Sequence, residues 1–407
     1  ITMATLSDPP SEGFRLSQLL YDTRYRSMTI QVIAFMLIMA GLIWLANNTV
    51  QNLAALGKDF DFGFLTTRAG YDINQRLIEY SNDSTHGRAA LVGILNTLLV
   101  AFVGCILATI FGLFAGVLRL SNNWIVSRLM GVYVEMFRNI PTLVWILIVF
   151  AIMTEAMPAP RDFRGEDAEA MMSLFGTVAI TNRGVYIPSP VVGDGALILG
   201  LVFLASIIGI VFFRRFAKAR QEATGEQLPV LWISLGLLIV PSLVFYFILG
   251  RPITLQYPEL TGFNFTGGVH LRNSFIALTL ALALYTGAFI AENVRGGILA
   301  ISKGQTEAAF SLGLQPGRTM QLVILPQALR VIIPPLISQY LNLTKNSSLA
   351  LAVGYMDVRS TLGGITINQT GRELEGMLLL GLFYLITSLI ISAAMNVYNN
   401  SVKLKER

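Results

Sequence analysis

Glu307-Ala308-Ala309-Phe310-Ser311-Leu312-Gly313-Leu314-Gln315-Pro316, continuing to Val323-Ile324-Leu325-Pro326, is the stretch on which the fold turns. Gln305 to Leu312 is built from good helix formers. Gly313 can take the left-handed conformation that ends a helix, and Pro316 suits the first turn of the next. The stretch therefore reads as helix, turn, helix. Ala308 and Ala309 give a thin edge able to enter a groove, while Phe310 and Leu312 offer apolar contact. A short helix of this kind, lying across a membrane face, is a natural lever for a soluble partner.

The sequence on either side supplies the membrane. Of 407 residues, 54% are hydrophobic and 13% charged, against about 25% charged in ordinary soluble domains. The apolar residues come in long blocks, the signature of transmembrane helices. Eight spans are expected, near 28–46, 91–118, 138–157, 195–213, 229–249, 273–292, 328–345 and 375–396. The fold class expected is an all-α integral membrane protein. The first block follows a polar segment too long for an ordinary signal-peptide n-region and reads as a retained anchor.

Basic residues set the orientation. Arg15, Arg24 and Arg26 precede the first span, and Arg214, Arg215, Lys218 and Arg220 follow the fourth. Arg295, Lys303 and Arg318 lie between the sixth and seventh, and Lys403, Lys405 and Arg407 end the chain. With eight spans, all of these face the cytoplasm. Arg359 and Arg372 fall on the outer side, where a long loop tolerates them. Segment 214–228 reads as a short cytoplasmic loop and 158–194 as a longer outer one, each too short for a folded domain of its own.

Other features narrow the function. The net charge of +5 is modest, and no basic cluster is interleaved with aromatics, which points away from nucleic acid. The single cysteine, Cys105, lies in an apolar block, which excludes a disulfide framework and a Cys-based zinc site. His86 and His270 fall in polar loops and read as solvated surface; no metal site is expected. No G-x4-G-K-S/T phosphate loop is present, nor an H-E-x-x-H or G-x-S-x-G motif, so no catalytic residue is assigned. An ion-coupled secondary transporter, or a channel, is the alternative. It needs midplane carboxylates or broken helices, and Glu155 and Glu292 are read as the carboxylates at span edges.

Gly104, Ala108, Gly112 and Gly116 recur every four residues in the second span, and Thr279, Ala283, Gly287 and Ala291 do so in the sixth. Such ridges let helices approach closely in lipid, and the two spans are expected at the packed centre, although ridges of this kind also serve ordinary helix packing. Asn96-Thr97 and Asn273-Ser274 each open a span after a polar stretch, which suggests related halves.

The spacing E-A-A, three residues, G, nine residues, branched aliphatic, one residue, L-P resembles the loop of binding-protein-dependent ABC importers, with Val323 where that family usually has Ile. Three further stretches resemble the polar amino-acid permease branch: Ala291-Glu292-Asn293-Val294-Arg295-Gly296-Gly297-Ile298, Leu325-Pro326-Gln327-Ala328-Leu329-Arg330 with Pro334-Pro335, and Lys345-Asn346-Ser347-Ser348-Leu349. Gly93, Asn96-Thr97-Leu98, Tyr133, Glu135, Phe137, Arg138, Asn139 and Pro141 complete the pattern. The longer layout, with Phe62-Gly63-Phe64-Leu65, is similar to the larger permease subunits of bacterial general L-amino-acid importers.

The resemblance implies a type I ABC importer permease fold with a five-helix core in spans two, three, six, seven and eight. Residues 1–90 would hold the cytoplasmic N-terminus, first span and an outer loop. Residues 91–157 would form the first part of the core and 158–271 an insert with two extra spans. Residues 272–398 would form the second part, with its coupling loop at 302–326, and 399–407 a cytoplasmic tail. The partners implied are a second permease subunit in a heterodimer, two ATPase subunits, a periplasmic amino-acid-binding protein and membrane lipid. The membrane implied is the bacterial inner membrane. ATP and Mg would be bound by the partner subunits, with no cofactor in this chain. Glu307, Ala308, Ala309, Gly313, Leu325 and Pro326 would couple to the ATPase, and the cargo would be polar L-amino acids, acidic ones and their amides leading.

Residue chemistry nominates a pathway or gate. Glu292 and Arg295, three apart on a helix, read as a structural pair. Asn96, Thr97, Arg138 and Asn139 lie near span ends, and for Arg138 the reading as a positive-inside anchor is preferred. Lys345 lies eighteen residues beyond Gln327, a rise of roughly 27 Å if helical, where ionisable groups are costly and often functional. With Asn346, Ser347 and Ser348, Lys345 can meet a substrate carboxylate or cap a gate between two permease subunits.

Overall fold

The computed structural model describes residues 23–55, 57, 60–165 and 168–402. Arg15, Asp167, Lys403, Lys405 and Arg407 lie outside the described residues. Residues up to Phe64 and those from Leu65 onward form two units. In the first, α1 (Thr23–Ala55) runs 33 residues, well past the apolar block at 28–46. Phe35, Leu37 and Trp44 on it are exposed, as suits a helix clothed in lipid.

In the second unit the spans are α2 (His86–Leu118), α3 (Trp124–Asn139) with α4 (Thr142–Ala151), α5 (Ala196–Thr224), α6 (Val230–Ile248) and α7 (Asn273–Leu299). The span α10 (Leu325–Asn346) and the span α11 (Glu373–Val402) follow the turn formed by α8 (Lys303–Ser311) and α9 (Pro316–Thr319). Among the described residues, seven helices are long and apolar enough to cross a membrane, and a bent pair brings the number to as many as eight. That pair corrects the third span. The helix ends at Asn139 and the chain turns by 108° into Thr142–Ala156, because Pro141 cannot continue a helix. The break thus falls directly after Arg138 and Asn139.

The core is built around α7. Leu278, Ala281, Leu282, Ala283 and Ile290 on it are fully buried against Val100 and Ala108 of α2, Ile146 of α4, and Ala328, Ile332 and Leu343 of α10. The two small-residue ridges do meet. A Cβ on Gly112 would lie 2.5 Å from Ile290 and 3.0 Å from the Gly287 carbonyl, and one on Gly116 would lie 2.7 Å from the Ala291 carbonyl. Tight van der Waals contact replaces the hydrophobic force that lipid does not supply. α5 and α6 pack chiefly against each other, and Leu201, Phe212, Trp232 and Phe247 on them are exposed. Segment 214–228 is corrected too: α5 continues as helix to Thr224, closed by Gly225 at φ +74° and an Arg220–Glu226 ion pair at 2.8 Å.

The insert also holds structure that periodicity did not reveal. β1 (Ala179–Thr181), β2 (Gly184–Ile187) and β3 (Ser189–Val192) precede α5, while β4 (Ile253–Gln256), β5 (Glu259–Thr261), β6 (Asn264–Thr266) and β7 (Val269–Arg272) follow α6. β2 lies between β1 and β7, β3 pairs with β4, and β5 with β6, all antiparallel. Each outer loop holds a hairpin of its own, and the β2–β7 and β3–β4 pairings join the two loops into a β cap. Gly184 sits at φ +138°, and a Cβ there would lie 2.3 Å from the Leu271 carbonyl, so only glycine lets β2 lie this close to β7.

Candidate functional site

The turn between α7 and α10 has the expected build. α8 ends in a Schellman cap: Gly313, at φ +76°, donates its N–H to the Phe310 carbonyl at 2.9 Å, and Leu314 donates to Ala309 at 3.1 Å. The last carbonyls of the helix are thereby satisfied. Pro316 opens α9, a π-turn at Met320–Ile324 follows, and Pro326 lies in the first turn of α10. Gln327 donates from its amide to Gln305 at 3.3 Å, which ties the two arms together.

The turn leaves several apolar side chains exposed. Phe310 and Leu312 are exposed, as are Leu322 and Leu325. Glu307 and Ala308 are exposed beside them, and among the described residues the Glu307 carboxylate has no partner. Ala309 corrects the reading of a two-alanine edge. It is 4% exposed and turns into the loop's own packing, so only Ala308 offers a thin edge to a partner.

The C-terminal end of α7 carries an ionic cluster. Arg295 donates to Glu292 at 2.5 Å, one turn apart. Arg119, the C-cap of α2, also pairs with Glu292 and reaches Glu135 of α3 at 3.5 Å. One carboxylate thus joins α2 to α7, and Arg119 extends the link to α3. A cation at the end of α2 is also favoured by the helix dipole. Arg119 escaped sequence reasoning because its partner is 173 positions away; the signal was a lone arginine closing an otherwise uncharged span. Arg138 stacks over Phe289 at 5.4 Å, and Asn139 donates to the Glu135 carbonyl at 2.7 Å.

Asn96 and Thr97 serve packing. Both are fully buried. Asn96 donates to the carbonyls of Gln75 and Met356 at 2.8 and 2.9 Å, and Thr97 accepts from the Val358 N–H at 3.0 Å. They clamp outer segments onto α2, a packing duty that a polar pair facing other elements performs better than one facing a channel. Lys345 is exposed and has no ion pair within the described residues. Asn346 is half-buried, whereas Ser347 is buried and donates to the Thr344 carbonyl at 2.7 Å; Ser348 is half-buried beside it. These four residues are neighbours at the far end of α10 and are not brought together with Arg138 or Asn139.

His86 is not solvated, and His270 is half-buried. His86 is buried at the start of α2 and hydrogen-bonded to Thr366 at 3.0 Å. His270 lies on β7, stacked on Tyr186 at 4.2 Å. Both were misjudged because their partners come from distant segments. Two buried carboxylates join the half-buried Glu292, while Glu155 is exposed. Asp357 is fully buried and accepts from the Ser360 N–H and hydroxyl, each at 2.8 Å; burial pushes its carboxyl above the usual range. Glu375 is buried beside Arg372 at 3.2 Å.

A family model described as binding-protein-dependent transport system inner membrane component matches residues 225–404. The glutamate/glutamine/aspartate/asparagine transport system permease protein BztB of Rhodobacter capsulatus is 58% identical, over the whole of both chains. The general L-amino acid transport system permease protein AapQ of Rhizobium johnstonii is 42% identical over 97% of this chain and 96% of its own. The putative amino-acid ABC transporter permease protein YhdX of Escherichia coli is 44% identical over 94% and 95%.

Proposed function

Because the chain belongs to the family of binding-protein-dependent transport inner membrane components, as a permease subunit of an ABC amino-acid importer, we propose that it imports acidic L-amino acids and their amides. The names of its relatives support that cargo, as do the unpaired Lys345 and the cationic Arg138. We place the importer in a bacterial inner membrane, fed by a periplasmic binding protein. This chain pairs there with a second permease subunit, and two ATPase subunits bind ATP and Mg. Residues 91–157 and 272–398 form the transporting core, with 158–271 as an addition.

The observation that carries the coupling assignment is the exposure of Phe310, Leu312, Leu322 and Leu325, with Ala308 and Glu307, on a capped turn. An apolar patch held rigid and rimmed by charge is what a partner surface needs. Closure of the ATPase pair on ATP draws such helices together and turns the pathway outward; hydrolysis resets it. The stroke works only through contacts that differ between the two states. Lys345 to Ser348, at the opposite end of α10, are assigned to the pathway or its gate, and Glu292 with Arg295 to structural pairing.

Reconstitution tests the whole reading. The complex with its ATPase and binding protein, in proteoliposomes, is expected to take up labelled L-glutamate and L-glutamine only with ATP inside and loaded binding protein outside. Uptake of sugars, metals or peptides but no amino acid overturns it.

A further inference from the structure

At the N-terminal end of α7, opposite the coupling turn, the β cap closes over the core around a cavity of about 440 Å³. That volume falls within the range of small-molecule sites, about 300–1,000 Å³. The core contributes Gln75, Thr154, Asn273 and Tyr355, and the cap contributes Asn182, Arg183, Asn264, His270 and Arg272. None of its lining residues is Asp or Glu, so Arg183 and Arg272 give it net positive character. Burial lowers the pKa of His270, leaving the two arginines as its cations.

Two features suit opposite ends of a zwitterion. The first turn of α7 lies in the wall, and Arg272, its N-cap, makes no side-chain cap bond. The helix thus offers unsatisfied N–H groups and the positive end of its dipole, which favour a carboxylate. Three lining side chains, Gln75, Asn182 and Asn273, each carry a buried carboxamide oxygen without a hydrogen-bond partner. Asn273 is 5% exposed, and its amide nitrogen donates to the Met153 and Asn182 carbonyls, which fixes its oxygen as a free acceptor. Unsatisfied buried acceptors are costly, and an ammonium group is their natural partner. The walls are themselves held. Asn96 ties Gln75 and Met356 to α2, and Tyr186 donates to Asn264 at 2.8 Å.

We propose that this cavity is an amino-acid subsite distinct from the Lys345 region, through which cargo passes on the side of the β cap. Its carboxylates meet the α7 N-terminus, Arg272 and Arg183, and its ammonium meets the oxygens of Gln75, Asn182 and Asn273 once these buried amides turn toward it. Two cations and no wall carboxylate select amino acids with an acidic or amide side chain and reject basic ones. This rests on the importer reading above and gives the insert a function: the cap supplies both arginines.

The test uses the assembled complex in nanodiscs without binding protein, with labelled L-glutamate and L-lysine as probes. L-glutamate is expected to bind saturably and L-lysine not. Arg272→Gln and Asn182→Ala are each expected to weaken glutamate binding about tenfold or more, with Arg272→Lys recovering most of it. Arg183→Gln, on the exposed hairpin, probes the same cavity without touching α7. Variants that assemble and bind glutamate as the wild type does overturn the proposal. So does a wild-type complex that imports glutamate yet binds none without its binding protein, and that outcome leaves the importer reading standing. A wild-type complex that imports no amino acid sinks both.

Discussion

Two adjacent alanines divide the work of the coupling turn, and substitution separates them. Ala308 is exposed, so Ala308→Trp leaves the chain's own packing intact and obstructs a docked partner. The permease is expected to remain monodisperse in detergent while ATPase co-purification and stimulated ATP hydrolysis fall at least tenfold. Ala309 is buried, and Ala309→Trp overpacks the turn at a cost of about 1–3 kcal/mol, seen first as faster proteolysis of 303–326. Gly313→Val places a β-branched side chain at φ +76°, where strain costs about 1–3 kcal/mol, and is expected to uncouple hydrolysis from uptake. Wild-type hydrolysis and uptake in both Ala308→Trp and Gly313→Val would remove the coupling role.

Among the elements, the contact between α2 and α7 decides whether the core forms. Gly112→Leu drives a side chain into Ile290 and the Gly287 carbonyl, with no burial from water to offset it. Thermal unfolding in detergent is expected to shift down by several degrees, or the protein to fail to accumulate. Gly200 on α5 has nothing within 4 Å of an added Cβ, so Gly200→Leu is expected to leave the midpoint unchanged. Equal shifts in the two variants would contradict the packing described. The contrast also explains why α5 and α6 were legible as spans but not as members of the core: both kinds of helix are apolar, and only the close small-residue ridge marks the buried ones.

On the scale of the whole molecule, strand pairing fixes sidedness. β2 pairs with β7 and β3 with β4, so the chain before α5 and the chain after α6 share one membrane face, and the α5–α6 connection lies on the other. A reporter at Thr224 is expected to register as cytoplasmic. Reporters at Phe263, exposed at the tip of β5–β6, and at Asp167 are expected to register as external. Thr224 and Phe263 on the same side would break both the eight-span topology and the cap.

The sequence alone determined what repeats or is local. Apolar blocks gave the spans, because lipid demands some 20 apolar residues per helix. A glycine between helix formers gave the capped turn, because only its φ/ψ freedom ends α8 that way. Small residues every fourth position gave the central pair, and i, i+3 spacing gave Glu292 with Arg295. What only the tertiary structure decided lies between distant positions. The cap pairs strands of three or four residues across two intervening spans, too short for periodicity to register. Arg119 finds Glu292, His86 finds Thr366, and Asn96 finds Gln75 and Met356, and no local pattern encodes such meetings. Ala309 turned inward and Ala308 outward for the same reason: which face of a short helix is buried depends on what folds against it.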